Sequence, residues 1–401
     1  MQVLILDEHP LLNDSRRSRH LSTCKKMGYA IFRSHFDTKQ TNTENQMGFD
    51  GDIPIYTSGL KYRQNKYINF GVRNLKLIFA NRKCWKKIIT KQLIMDLNEN
   101  TVIHVHDPQL LFLAARITSL FSNAKVVYDR HELYDNMGIV FGKSIPATIE
   151  KLVKKRIDGI VLTIDESLAD MQKSFSHSKI IVVPNYPNLP LDVERTTDNK
   201  LKSNNLPDLI TFVSIGTLDW TKNNPKAIYD VLPLLYFAEK LLEKRENIRF
   251  IIGGKAVSED MENTFKKLEH KYPGKFRYVG FVDYDTLINY TLDATFGFFL
   301  TNPNTDYWVP RSSNKIYEFI NCGVIPITRD DATPIDIIKK FGLVFSRYAS
   351  NDEILKSIES LLDNPNQILA MRGQLEKCYR DYSYSAVSER YSKLYDDLFL
   401  K

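Results

Sequence analysis

Cysteine is scarce in this sequence of 401 residues: Cys24, Cys84, Cys322 and Cys378 are its four, and no two stand at CxxC spacing. That dispersion excludes a disulfide framework and the paired-cysteine zinc modules, and it suits a reducing cytosol. Glycine is sparse too, at 17 residues, and no GxGxxG follows any strand-like run, which excludes a nicotinamide-dinucleotide fingerprint. No stretch approaches the ~18 to 20 uninterrupted apolar residues that a transmembrane helix needs. The opening MQVLILDEHP meets acid and proline after one short apolar run. It lacks a basic start and a small-residue cleavage site, so no export signal is expected. Internal repeats and low-complexity tracts are also lacking.

What is present is the composition of a soluble globular chain, 43% hydrophobic and 26% charged. At roughly 100 to 200 residues per domain the length predicts two or three domains with proper cores. The balance of 55 basic against 48 acidic residues gives a net charge of +7, a modest surplus whose distribution says more than its size. From Lys61 to Met95 there are ten basic residues and no Asp or Glu. Projected at 100° per residue, Lys76, Arg82, Lys83, Lys86, Lys87 and Lys91 occupy one half of a helix, while Leu77, Ile78, Cys84, Trp85, Ile88, Ile89 and Met95 gather on the other. A basic amphipathic helix of this kind can rest on an anionic membrane surface. It can equally be an ordinary surface helix with a solvated charged face. Nucleic acid is not expected as a partner, because no nucleic-acid-binding motif accompanies the basic block.

Short apolar, β-branched runs recur between helix-length spacers: VLIL at 3 to 6, VIHVH at 102 to 106, KVVYD at 125 to 129, GIVLTI at 159 to 164 and KIIVVP at 179 to 184. A second series comprises ITFVSIG at 210 to 216, IRFIIGG at 248 to 254, FRYVG at 276 to 280, ATFGFFL at 294 to 300, VIPIT at 324 to 328 and GLVF at 342 to 345. Such runs predict an α/β chain of two doubly wound, parallel-sheet, Rossmann-like domains. The expected boundaries are 1 to 186 for the first domain, 187 to 208 for a Pro- and Asn-rich linker, and 209 to 375 for the second domain. Residues 376 to 401 are expected to form a helix that returns to the body of the first, since Tyr379, Tyr382, Tyr384, Tyr391 and Tyr395 are more aromatic surface than a free tail exposes.

The segment YWVPRSSNKIYEFINCGVIPIT, residues 307 to 328, reads as a polar loop, a helix capped by Ser312 or Ser313, and a stop at Gly323 before a strand. Asn314 and Lys315 then stand at the helix's positive end, where phosphate binds. Lys315 and Glu318 share a face, so a lysine for phosphate and a carboxylate for a ribose diol can serve one nucleotide. An i,i+3 surface salt bridge is the plainer alternative. The segment VSIGTLDWTKNNPKAI, residues 213 to 228, favours the nucleotide: a strand, a turn at Gly216, then a helix, with Lys222 in the connecting loop within reach of a diphosphate over the strand ends.

Here the sequence resembles the retaining, GT-B glycosyltransferases of family 4, whose motifs run G-R-L-x-x-x-K-G and later E-x7-E. Gly216, Leu218 and Lys222 match the first in spacing, and Glu318 with Cys322-Gly323-Val324-Ile325-Pro326 matches the end of the second. Thr217 stands where the family places a phosphate-binding arginine, and Pro310 where it places the first glutamate; Arg311 is the nearest compensating cation. A branch of the family with a proline-or-serine loop and a K-x-x-E ending is similar to SSNKIYEF. VIHVHDPQLL, KVVYDRHELYDN and NDSRRSRHLSTCKKMGY resemble the family's N-terminal segments. The resemblance implies two domains facing a cleft, with donor binding by Gly216, Thr217, Lys222, Arg311, Asn314, Lys315 and Glu318. It further implies catalytic roles for His131 and Lys222, with His131 at a strand end beside the donor sugar; capping of the next helix is the plainer role for this histidine.

Two further patterns imitate metal sites. His104 and His106 alternate onto one strand face beside Asp107, but no third ligand stands at plausible spacing, so structural histidines are expected. Asp283-Tyr284-Asp285 imitates a DxD motif, yet it opens a helix, so Asp283 is expected as an N-cap. No metal and no cofactor is therefore expected beyond the nucleotide-sugar substrate. The expected function is glycosyl transfer to a glycan or lipid-linked acceptor in bacterial surface-polysaccharide or glycolipid synthesis. The expected place is the cytoplasm, on the inner face of the cell membrane where Arg82, Lys83, Lys86 and Lys87 dock. A non-catalytic partner subunit and a nucleotide-sugar epimerase of the same fold are the alternatives.

Overall fold

The computed structural model describes residues 1–7, 15–37, 49–56, 82–130, 139–140, 143–164, 168–216, 218–221, 230–304, 311–312, 314–333 and 335–400. The chain divides into two compact units, Met1–Pro184 with Val387–Lys401, and Asn185–Ala386.

The first unit is built on seven strands: β1 (Gln2–Asp7), β2 (Ala30–Asp37), β3 (Gly51–Tyr56), β4 (Thr101–Val105), β5 (Ala124–Arg130), β6 (Gly159–Leu162) and β7 (Lys179–Val182). Their spatial order is β3-β2-β1-β4-β5-β6-β7, with every pairing parallel. Helices α1 (Ser15–Lys26), α2 (Arg82–Lys87), α3 (Leu111–Ile117), α4 (Ile145–Val153) and α5 (Leu168–Ser174) lie along the chain between them. Strands β1, β4 and β6 are buried at every position, as expected where helices cover both faces of a parallel sheet.

The second unit repeats the plan with β8 (Ile210–Ile215), β9 (Ile248–Gly253), β10 (Phe276–Gly280), β11 (Phe296–Phe299), β12 (Ile325–Arg329) and β13 (Leu343–Phe345), in the order β10-β9-β8-β11-β12-β13, again all parallel. Its helices are α6 (Leu191–Lys202), α7 (Leu232–Lys244), α8 (Glu259–Lys271), α9 (Tyr284–Leu292), α10 (Asn314–Asn321), α11 (Ile335–Ile338), α12 (Asn351–Leu362) and α13 (Pro365–Glu376). The last helix, α14 (Ser385–Phe399), lies mostly within the first unit. Phe212, Phe250, Phe296 and Phe298 form a stacked aromatic seam through the core of the second sheet. Side chains of this size dominate a core's hydrophobic stabilisation.

In both sheets the strand order reverses beside the first strand, between β1 and β4 and between β8 and β11. Doubly wound folds bind ligands outside the carboxyl ends of the strands at that switch point.

Residues 187–208, expected as a linker, instead contain α6, which belongs to the second unit. Its buried face is Val193, Thr197 and Leu201, a clean i, i+4, i+8 stripe. Thr197 Oγ1 donates to the carbonyl of Asn321 (2.9 Å), and Lys200 Nζ donates to the carbonyls of Leu292, Ala294 and Cys322. Helix α6 thereby satisfies orphan carbonyls beyond the C-termini of α9 and α10. No described helix is long and apolar enough to cross a membrane.

Candidate functional site

The candidate site of the second unit begins where β8 ends. Gly216 has φ +144°, and a Cβ at this position would lie 1.9 Å from Lys315 Cε. Only glycine lets the lysine stem lie across the turn in this way. The backbone N–H of Gly216 donates to the carbonyl of Gly253 (2.8 Å), which fixes the turn to the neighbouring strand.

Lys315 is delivered by α10. Ile316, Phe319 and Ile320 bury one face of that helix, and Phe319 lies flat over Gly297, where a Cβ would meet the ring at 2.7 Å. The helix stops as expected at Gly323, whose φ is +64°. Gly323 N–H donates to the carbonyl of Ile320 and Val324 N–H to that of Phe319, the two bonds of a Schellman motif. Ser312, one of the two expected caps, lies instead in a short strand, Arg311–Ser312, paired with Ala332–Thr333. The other, Ser313, lies outside the described residues.

Two acceptors at this helix are held without being spent. Asn314 Oδ1 is buried and has no hydrogen-bond partner among the described residues. Glu318 is 8% exposed, and Lys315 Nζ approaches its Oε2 only to 4.0 Å, the outer limit of an ion pair. Its carboxylate accepts no hydrogen bond among the described residues. A buried orphan acceptor costs roughly 1 to 3 kcal/mol unless a ligand or water completes it.

The start of the segment that carries Lys222 is also anchored. Thr221 donates to Asp230 through its backbone N–H (3.2 Å) and its hydroxyl (2.8 Å), holding residues 221 and 230 together on either side of it. Lys222, Thr217 and His131 themselves lie outside the described residues, as do Pro310 and the side chain of Arg311.

In the first unit the strand ends carry a different population. Asp7, at the end of β1, lies beside Arg33 (Nε to Oδ2, 3.0 Å) and Arg17 (Nε to Oδ1, 3.4 Å), and Arg17 also reaches Asp107 (2.7 Å). Burial pushes the Asp7 carboxyl up to about 6 despite the two guanidinium groups. His104 and His106 are fully buried on one face of β4. The expectation that no third histidine joins them fails, because α1 lies across that face and contributes His20, whose Nδ1 is 3.2 Å from His106 Nε2. Tyr395 of α14 places its hydroxyl 2.6 Å from His20 Nε2 and 2.7 Å from His104 Nδ1. Asp129 on β5 accepts from Arg16 (2.7 and 2.9 Å) and from the hydroxyl of Tyr391 (3.2 Å).

Asp283 is the N-cap of α9. It accepts from the N–H (2.8 Å) and hydroxyl (2.9 Å) of Thr286, and these bonds hold its carboxyl below the usual range. The basic helix is shorter and less regular than its projection: α2 gives way to a π-helical turn at Ile88–Gln92. Trp85, Ile89, Leu93 and Met95 are buried, and Lys86, Lys87 and Lys91 are exposed. The side chains of Arg82 and Lys83, and residues 61 to 81, lie outside the described set.

Three solved structures illustrate what this architecture is similar to. Sucrose-phosphate synthase from Thermosynechococcus elongatus matches 100% of this chain and 99% of its own, with a TM-score of 0.67 and 15% identity. A UDP-forming α,α-trehalose-phosphate synthase from Burkholderia vietnamiensis matches 99% and 100%, with a TM-score of 0.64 and 10% identity. An E. coli structure described as trehalose-6-phosphate bound with UDP-2-fluoro glucose matches 98% and 99%, with a TM-score of 0.64 and 12% identity. No protein-family model matches the sequence, and no curated protein matches it as a sequence relative. Likeness at these identities concerns the fold, and the fold is GT-B, two Rossmann-like units of parallel sheet.

Proposed function

We propose that this chain is a glycosyltransferase, of the hexosyl-transferring kind, whose second unit holds a nucleotide-sugar donor. The observation that carries the reading is the pair of unspent acceptors on α10, Asn314 Oδ1 and the Glu318 carboxylate, beside a lysine lying across Gly216 at a switch point. Glu318 would accept from the ribose hydroxyls. Lys315 and the opening turn of α10, with Lys222 and Arg311, would take the diphosphate and neutralise charge on the departing nucleoside diphosphate. His131 would face the reacting sugar. Membership of family 4, and with it a retaining mechanism, rests on the sequence motifs.

The finer reading is a lipid-linked glycan acceptor reached at an anionic membrane, supported by exposed Lys86, Lys87 and Lys91 on a segment whose apolar residues Trp85 and Ile89 pack into the core of the first unit. Replacing Lys83, Lys86 and Lys87 by glutamine should lower liposome binding and activity on lipid acceptor together; unchanged binding sinks the membrane reading alone. Transfer should proceed without an added divalent ion, and activity abolished by EDTA and restored by Mg²⁺ or Mn²⁺ would refute that.

The deciding experiment is thermal stabilisation by a panel of nucleoside diphosphates and their sugars, because a ligand of the native state raises its stability. One nucleotide should raise the melting temperature of the wild type and not that of Glu318→Ala. A chain that responds to no nucleotide would favour the second reading, a non-catalytic partner subunit, which the Thr217 and Pro310 departures support. Interconversion of sugar nucleotides without acceptor would identify an epimerase instead.

A further inference from the structure

The histidine cluster lies in the first unit, outside the residues to which donor binding is assigned, and its chemistry is complete enough to name a ligand. We propose that His20, His104 and His106 bind one first-row transition-metal ion, zinc by preference, in a structural site that joins α1 to β4.

Each histidine offers a ring nitrogen within 4.8 Å of those of the other two, and all three side chains are fully buried. His20 Nδ1 and His106 Nε2 stand 3.2 Å apart. Two nitrogens bound to one tetrahedral zinc at ~2.0 to 2.1 Å lie about 3.3 Å apart, so this pair already has ligand spacing. The alternation of β4 puts His104 and His106 on one face, and α1 crosses that face one element away.

The surroundings place oxygens beside the imidazoles, one of them at hydrogen-bond distance from His20 Nε2. A ligating histidine hands its other ring N–H to a carboxylate or another oxygen, which sets its tautomer and orientation. Here His20 Nε2 lies 2.6 Å from the Tyr395 hydroxyl. His106 Nδ1 and His104 Nε2 each lie 3.6 Å from Asp129 Oδ2, within ion-pair range and beyond hydrogen-bond reach, and Arg16 and Tyr391 fix that carboxylate. Cys24 Sγ is 3.3 Å from His20 Nε2, the ring nitrogen that does not face His106. Three neutral imidazoles suit zinc, cobalt, nickel or copper, and are wrong for Mg²⁺ or Ca²⁺, which take oxygen ligands. The site is therefore separate in kind from any catalytic Mg²⁺ or Mn²⁺.

The competing account is a metal-free network in which Tyr395 bridges His20 and His104. The test is metal content by plasma mass spectrometry and cobalt absorption of the full chain, refolded with Zn²⁺ or Co²⁺ because the site is closed. The wild type should carry about one ion per chain, show the visible bands of tetrahedral cobalt, and melt at a higher temperature than the metal-free chain. His20→Gln and His106→Gln should lose the ion; Tyr395→Phe, which removes the bridging hydroxyl and no ligand, should keep it. A wild type that carries neither ion after refolding would overturn the proposal, as would histidine variants that bind as much as the wild type. Should those variants fail to fold, the wild-type content and cobalt spectrum decide alone.

Discussion

The two sheets share one strand order and fill the region of their switch points in opposite ways. In the first unit, Asp7, His104 and His106, and Asp129 lie at the ends of β1, β4 and β5, all buried and bonded or ion-paired to side chains of α1, α14 or β2, with Asp7 Oδ1 holding an ion pair to Arg17 (3.4 Å) and no hydrogen bond among the described residues. In the second, β8 and β9 run into Gly216 and Gly254, with φ of +144° and +143°, and α10 presents acceptors that are not spent on the protein. Topology thus fixes where a ligand can sit, and the side chains at the strand ends decide whether the protein has used that place itself. A buried polar group that is satisfied internally stabilises the fold; one left unsatisfied points to a ligand.

That contrast breaks most visibly at Arg16. Its guanidinium holds Asp129 from two nitrogens and reaches the carbonyl of Val183 (2.8 Å). Removing one partner of a buried ion pair costs roughly 3 to 5 kcal/mol because the other charge stays buried. Arg16→Ala should lower the unfolding free energy measured by urea denaturation by that margin, whereas nucleotide binding by the folded fraction should be retained. Loss of nucleotide affinity in folded Arg16→Ala would show that the first unit's network serves the donor after all.

The next effect lies within the second unit, away from its strand ends. Lys200 gives its three donors to carbonyls of Leu292, Ala294 and Cys322, and burial pushes its ammonium down to about 7. Lys200→Met should cost about 3 kcal/mol, since helix-end carbonyls lose their donors. The folded pKa lies below the unfolded value of 10.5, so the stability tied to this titration is present above 10.5 and lost as pH falls through about 7. The gap between wild type and variant should therefore widen from pH 7 to 10.5 in parallel denaturation curves. A gap independent of pH would mean that the three carbonyls keep the amine charged.

Why Lys200 and α6 escaped the sequence reading is physical. The buried stripe of α6 includes Thr197, whose methyl packs while its hydroxyl bonds Asn321, so the apolar periodicity looks too weak for a helix. Strands β1 and β4 to β13 were legible because parallel strands buried on both faces read as continuous apolar runs, β2 and β3 were not because Arg33, Ser34 and His35 interrupt the one and Asp52 and Pro54 the other, and α10 was legible because Gly323 ends it. His104 and His106 were visible as a pair from the two-residue period of a strand. Their third member was not, since His20 lies 86 residues from His106 and reaches it only through the crossing of α1 over β4. The π-helical turn after α2 was equally hidden, because a projection at 100° per residue presumes a regular helix.

Gly216 tests the open strand end of the second unit. Alanine there must take φ near +144° and displace the Lys315 stem, a strain of about 1 to 3 kcal/mol. The stability loss should be modest and the loss of nucleotide affinity at least about tenfold, since the lysine proposed to take the diphosphate is the group displaced. Unchanged nucleotide affinity in Gly216→Ala would detach Lys315 from the donor site and return the lysine to a surface role.

The smallest effect belongs to Asp283, which separates capping from metal binding at a motif that imitates a metal site. Its two oxygens both accept from Thr286 at the start of α9, so the carboxylate's work is already accounted for within the helix. Asp283→Ala should cost about 1 kcal/mol, the usual loss of an N-cap, and Asp283→Asn or Asp283→Ser should recover most of it. Glycosyl transfer at saturating donor should be unchanged in all three. A large fall in turnover with little change in melting temperature would instead make Asp283 part of the reaction site, and it would overturn the assignment of this residue to the helix alone.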